Sequence, residues 1–596
     1  LGGNFFVLSG ALGQTNTWDG STNSNWNVAA NWSENVVPTS DHDVVININA
    51  AILVNVAGTI TINSLTIGNS AIVSLNSSGA ARNIIIDNTG SSVGTGSTLS
   101  LNGEVGFTRP LSMAFSGTDL TMSIEGTLIV SAIGGGGKYN ATSSITTVAG
   151  TLRNEITSSI TSTATNLFFE SGGTYVHAVA ASSIPLADWD IASTCNLTGT
   201  TSTMPGNLGQ TFGNLIINCP SMSSSLSLPL TGTIGISGDL QIINSGSAVL
   251  SLNQSTLTVG GNCSIGDDFK IGAGSSSRNL DVTGNFTLTG GALTLAAGNT
   301  ATLNVTGNFS ITGGIFYLAT SGTGTLNLLG NFSITGGTLT RTNGTVAVNF
   351  NNTSAIKTYT SGGTVSNTVN FNVINGAFLQ MATPGTIVEG AGTFNLAAGG
   401  TLGVTSVDGI STSGTSSNSG TTGNIQVTGS RTFSTGSNLI YNGTSNQDVG
   451  SGLTTLNKAH LTIDNPGNTV TLSANTTISG RLTVTAGSTL ALSTLTFGGD
   501  TSVVMEGGAT SGAKITGSAA LTLAGNVKVN DKGTGTDGAK IECPVNLGAT
   551  RTFTVADDGS TAPDLTISGI ISTGFGIVKA GAGELVLSGN NSYSGS

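Results

Sequence analysis

"GNFSITGGIFYLATSGTGTLNLLGNFSITGG", residues 307–337, contains the string GNFSITGG twice, starting at Gly307 and again at Gly330. Working outward from it, glycines stand at 238, 261, 284, 307 and 330, in equal steps of 23. Two places after each come Leu240, Cys263, Phe286, Phe309 and Phe332, and two further on Ile242, Ile265, Leu288, Ile311 and Ile334. Later in each unit Leu257, Leu280, Leu303 and Leu326 precede Val259, Val282, Val305 and Leu328 by two places. Apolar residues at every second position mark strands with one buried face. A repeat of roughly 20–50 residues marks a solenoid, propeller or array, and a unit this short holds too few strands for a propeller blade. The spacing predicts an all-β chain, a right-handed parallel β-helix (β-solenoid) with coils of about 23 residues. In such a fold every coil must supply the same inward side chains as the coil beneath it.

The residues after these glycines are Asp239, Asn262, Asn285, Asn308 and Asn331. Side-chain amides stacked at a corner are expected to hydrogen-bond along the stack. The neighbouring glycines are expected to supply positive φ there. Asn is also a common turn residue, and both readings are structural.

Composition agrees with short strands and tight turns. Charged residues are only 8% of the chain, against roughly 25% in an average soluble protein. Disorder needs high charge and low hydrophobicity, and here 88 glycines alternate with a steady supply of Val, Ile and Leu. The net charge of −12 comes from 29 acidic and 17 basic residues. No Lys/Arg cluster occurs, which argues against nucleic acid or anionic membrane as partners. No apolar run reaches the roughly 18 residues of a membrane helix, so no membrane insertion is expected within these residues.

The chain opens "LGGNFFVLSGALGQ", which fits either the back half of a secretory leader cut near Gln14 or a first strand. The reading divides the chain into a leader remnant (1–13), a Trp-rich N-terminal cap (14–50) and β-helix (51–409). A Ser/Thr/Gly-rich loop (410–426), further β-helix (427–550) and a terminal repeat (551–596) follow.

Three stretches carry resemblances. Residues 17–46, "TWDGSTNSNWNVAANWSENVVPTSDHDVVI", resemble the opening module of large exported proteins of Bacteroidota. Residues 173–220, with "GTYVH", "IPLADW", "STCNLTG" and "LGQTFGNLIINCP", resemble repeat-rich surface proteins of the same group, often cargo of type IX secretion. "GIVKAGAGELVLSGNNSYSG", within 551–596, resembles the autotransporter-associated β-strand repeat, cut inside a coil. These resemblances imply a β-helical passenger held outside the cell, secreted to the surface or outer membrane. They transfer no catalytic residue.

Candidate chemistry is sparse. A GxGxxG at Gly533, Gly535 and Gly538 leads into "AKIECPVNL", a strand pattern, where a dinucleotide fingerprint needs a helix. Asp267-Asp268 and Asp557-Asp558 are adjacent pairs, whereas a glycosidase needs two carboxylates facing one groove. Asp41 and Asp43 flank His42 and read either as calcium ligands on one face or as a polar turn. His42, His177 and His460 are far apart in sequence. Trp18, Trp26 and Trp32 either cap the first coil or stack on sugars. The four cysteines show no metal-ligand spacing. Cys195 and Cys219, separated by close to one coil, are the candidate disulfide if they stack in adjacent coils.

The expectation is therefore a non-catalytic, adhesin-like stalk without cofactor, metal or catalytic residues, whose partners are surface glycans or neighbouring fibres. The alternative is a β-helix lyase or hydrolase acting on polysaccharide, which needs carboxylates from successive coils to converge in one groove.

Overall fold

The computed structural model describes residues 13–228, 235–274, 276–410, 423–450, 460–472, 476–478, 480–492, 495–497, 502–531 and 537–595. Positions 1–12 of the leader reading and 411–422 of the loop reading lie outside these residues, as do Gly533 and Gly535. The chain is an all-β parallel solenoid; among the described residues the only helices are two single 3₁₀ turns, Ala29–Asn31 and Ile133–Gly135. It forms two compact units, one up to Ala273 with Arg278–Gly284, the other Gly274–Ser277 with Asn285 onward.

In the first unit, successive coils add one strand to each of several parallel sheets. One sheet has eight strands, from Gln14–Thr17 through His42–Ile46 and Leu167–Phe169 to Asp188–Trp189. A second has five, among them Thr59–Ile62 and Leu111–Phe115. A third stack runs from Ala50–Val54 to Cys263–Ile265. Strands alternate buried and part-exposed side chains, which is why the sequence alternates apolar with Ser, Thr or Asn. Trp18, Trp26 and Trp32 form the first layer of the described chain. Their rings are 3%, 0% and 1% exposed and meet edge-to-face at 5.0 and 4.8 Å. The Trp18 amide donates to Val45 O and the Trp26 amide to Leu53 O, each at 2.9 Å, seating this layer on the next coil. With no face left for a sugar, the rings serve packing.

The expected columns are present in register. Leu240 pairs with Cys263 and Ile242 with Ile265 in the first unit. In the second, Phe286, Phe309 and Phe332 lie over one another, with ring centroids 5.3 and 5.5 Å apart and nearly parallel. Tyr359 extends this column at 4.9 Å. Burying one such side chain favours folding by about 1.5–3 kcal/mol, and each coil repeats that gain.

Two corner expectations are corrected. Gly238, Gly261, Gly284 and Gly330 do not have positive φ. They are glycines because stacked backbone leaves no room: a Cβ on Gly261 would strike Gly238 and Asp239, on Gly284 it would strike Gly261, and on Gly330 Gly307. Positive φ falls instead on the second glycine of each TGG, Gly291, Gly314 and Gly337, at 60, 72 and 65°. The Asn column after the first glycines is also not primarily an amide-to-amide ladder. Side-chain oxygens of the column accept the backbone N–H one coil on, as Asp239 Oδ1 does from Asn262 N at 2.7 Å in the first unit. In the second, Asn308 N donates to Asn285 Oδ1 and Asn331 N to Asn308 Oδ1, at 2.8 and 3.0 Å. A true amide ladder runs elsewhere in the second unit, through Asn304, Asn327, Asn349 and Asn372, at 2.8, 2.9 and 2.8 Å.

The Cys195–Cys219 bridge is corrected too. Cys195 pairs with Tyr175 on one side and Leu215 on the other, so the coil here is shorter than the cysteine spacing. Cys219 lies four positions past that partner, about 13 Å along the chain, beyond disulfide reach. Both are free, buried thiols, and Cys219 Sγ donates to Leu197 O at 3.2 Å.

Two outcomes follow. All four cysteines should react with a thiol reagent only after denaturation without reductant; recovery of a Cys195–Cys219 peptide would contradict the register. Gly330→Ala should cost about 1–3 kcal/mol in urea unfolding through overpacking of the corner. A neutral result would mean the stacked backbones can part.

Candidate functional site

Asp43 Oδ1 accepts hydrogen bonds from Asn63 Nδ2 (2.7 Å) and Ser64 Oγ (2.6 Å), while Asp41 is exposed before the strand. This is the polar-turn arrangement, with Asp43 tied to the next coil. Asp267 accepts the Ser245 amide at 2.7 Å and the Asp268 amide at 2.9 Å, a turn-capping role.

Asp557 and Asp558 lie on a turn, with Gly559 N donating to Asp557 Oδ1 and Ser560 N to Asp558 Oδ1, each at 2.8 Å. Folding adds Asp564, and ligand-capable atoms of the three carboxylates lie within 4.8 Å of one another. Asp564 Oδ1 accepts the Asp558 amide and its Oδ2 that of Glu584, at 3.0 and 2.7 Å. Hydrogen bonds from Ser560 hold the Asp558 carboxyl below the usual range. Backbone amides thus take Oδ1 of Asp557 and of Asp558 and both oxygens of Asp564, and this holds the three carboxylates in place on the turn.

The three histidines serve different local structures. His42 Nδ1 accepts the Thr39 amide at 3.1 Å. His460 Nδ1 accepts the Arg481 amide at 2.7 Å, and burial, with nearby Arg481, lowers its pKa. His177 points into the core of the first unit beside Tyr175, whose hydroxyl is 3.0 Å from Nδ1 and accepts from Asn154 Nδ2 at 3.3 Å. His177 Nε2 is buried without a hydrogen-bond partner. Burial drives its pKa down to about 4.

One feature of the surface escaped the sequence reading. A depression of about 470 Å³ in the first unit is lined by Ile145, Phe168, Glu170, Asp188, Trp189 and Asp190, among others. It lies where the eight-stranded sheet ends: Thr147 pairs with Phe168 and Phe168 with Asp188 on the last two steps. Phe168, Glu170, Asp188 and Asp190 face out, while Trp189 turns inward and stacks on Phe169, centroids 4.2 Å apart. Gln210 fixes the last strand, its Oε1 accepting from the Ala187 amide (2.9 Å) and Trp189 Nε1 (3.2 Å). The available signal was the match of "FFE" (168–170) with "DWD" (188–190) at a step of 20, which a search at 23 passes over.

These features define a parallel β-solenoid with a sealed core and outward faces rich in Ser, Thr and Asn. No protein-family model, no curated protein and no solved structure matches the chain.

The His177 environment gives a signed pH dependence. Its folded pKa lies below the ordinary 6.5, so its contribution is fully present above about pH 6.5. It is lost as pH falls toward 4, the loss reaching about 3 kcal/mol at the lower end. Between pH 7.5 and 5 the first unit should lose about 2 kcal/mol by this route. Denaturant unfolding of wild type and His177→Leu at both pH values checks this; an unchanged pH dependence in the variant would refute it.

Proposed function

We propose that this chain is a non-catalytic display scaffold: an exported, cell-surface stalk or adhesin-like passenger that acts by polyvalent contact with surface glycans or neighbouring fibres. The observation that carries the reading is the repetition of the same outward polar groups from coil to coil. In the second unit Thr300 pairs with Thr323 and Thr323 with Thr345, while the Asn304, Asn327, Asn349 and Asn372 amides run beside them. A ladder amide donates one N–H along the stack and keeps another donor outward. Uncharged groups recurring at the strand spacing of about 4.8 Å suit a repetitive partner, and linked weak contacts multiply into avidity.

Reactive groups are placed consistently with this role. All four cysteines are buried, and burial pushes the thiols of Cys195 and Cys263 well up, away from the reactive thiolate. The resemblance of 551–596 to the autotransporter-associated repeat adds support for display outside the cell.

The test is fractionation of cells making the native gene product, with protease challenge of intact cells and a glycan-binding screen. The scaffold reading expects surface exposure, and multivalent binding that weakens sharply when the display is made monovalent. Cytoplasmic retention would defeat it. Polysaccharide cleavage abolished by Glu170→Gln or Asp188→Asn, with folding intact, would replace it with the enzyme alternative.

A further inference from the structure

The depression at the end of the eight-stranded sheet has a chemistry that the display role does not use. Phe168, Glu170, Asp188 and Asp190 occupy outward positions on two neighbouring strands. Phe168 pairs with Asp188, and Glu170 and Asp190 follow one place beyond the paired Phe169 and Trp189. Strand geometry sets neighbours across the pair about 4.8 Å apart and alternate positions along it about 6.6 Å apart, measured at the backbone. One aromatic ring and three carboxylates thus share a patch one residue pair wide. Ile145, 39% exposed, adds apolar surface to the same depression.

Among the described residues, Glu170, Asp188 and Asp190 take part in none of the ion pairs. No lysine or arginine occurs between Arg153 and Lys270, the longest stretch of this part of the chain without one. Among the described residues, ion pairs form elsewhere, at Arg109–Glu104, Arg153–Glu155, Lys514–Glu542 and Lys540–Asp537. Asp190 Oδ1 accepts the Ala192 amide at 2.8 Å, which orients that carboxylate and does not neutralise it. In a chain only 8% charged, this local excess of anion is conspicuous.

We propose that this depression binds a linear aliphatic polyamine. Its ammonium groups meet Glu170, Asp188 and Asp190, and its methylene stem lies on Phe168 and Ile145. The choice follows from the combination of groups. Carboxylates alone would serve any cation, but a phenyl face attracts an organic ammonium and offers nothing to a hydrated metal ion. A depression of about 470 Å³ is far larger than one metal ion, and the backbone spacing of the residues that carry the carboxylates is of the order of amines separated by a few methylenes. Acidic polysaccharide is repelled, and a neutral sugar leaves three carboxylates without a counter-charge.

The experiment is calorimetric titration of the full chain with spermidine at low and at physiological ionic strength, with 1,4-diaminobutane, magnesium chloride, a neutral oligosaccharide and a lysine-rich peptide as separate arms. The proposal expects saturable one-site spermidine binding, weaker for the diamine and weaker in salt. Asp188→Asn/Asp190→Asn should weaken it by about tenfold or more, as expected for loss of two charge contacts. Phe168→Leu should weaken it by at least about threefold with the charge unchanged. Asp119→Asn, an exposed charge elsewhere in the same unit, should leave it within error. Thermal melts of each variant establish that the fold persists. Four results overturn the proposal: no saturable binding, equal loss with Asp119→Asn, indifference to Phe168→Leu, or magnesium, the neutral sugar or the peptide binding more tightly than spermidine.

Discussion

Backbone hydrogen bonding between parallel strands, held in register so that like lies over like, is the constraint on which this molecule rests. Each pairing fixes which side chain follows which along the stack: Phe286 under Phe309 under Phe332, Leu303 under Leu326. Once register is fixed, alternation assigns every second residue to the core. A slip of one residue would turn the whole inward set outward. Register also governs the corners, where stacked turns approach so closely that Gly261, Gly284 and Gly330 have no space for a side chain.

The same constraint separates two kinds of asparagine. At the corner, where the chain turns away from the sheet, backbone N–H groups need acceptors, and Asp239, Asn285 and Asn308 supply side-chain oxygens to the next coil. Within a strand the backbone is already paired, so Asn304, Asn327 and Asn349 are free to bond amide to amide. Sequence position within the coil, rather than residue type, decides which role an asparagine takes.

How much of this was legible in the sequence depends on how constant the coil is. From Gly238 to Gly337 the strand after each corner glycine keeps its step, and that inward column, including Cys263, could be read directly, whereas Leu250 pairs with Phe269 at a shorter step within the same stretch. Elsewhere the step changes: Leu99 pairs with Leu128, Leu128 with Leu152, and Cys195 with Leu215. The strands keep their alternation while the turns absorb the difference, and turn length leaves no apolar signature. That is why Cys195 and Cys219, spaced close to the regular period, looked stacked and are not. It is also why Glu170, Asp188 and Asp190, brought together by a shorter step, went unnoticed. The corner glycines were located correctly but for the wrong reason, since a sequence shows that a side chain is missing and not whether torsion or crowding forbids it.

The placement of the tryptophans bears on how this protein is studied. Of the four in the chain, three lie in the first layer and the fourth, Trp189, stacks on Phe169 near the end of the eight-stranded sheet. All belong to the first unit, whereas the second carries buried Tyr359 and Tyr441 instead. Intrinsic emission excited at the indole band therefore reports only on the first unit. A melting curve recorded that way is blind to the Phe stack and the long Asn ladder, and tyrosine absorbance or an amide-based probe is needed to see whether the two units lose structure together.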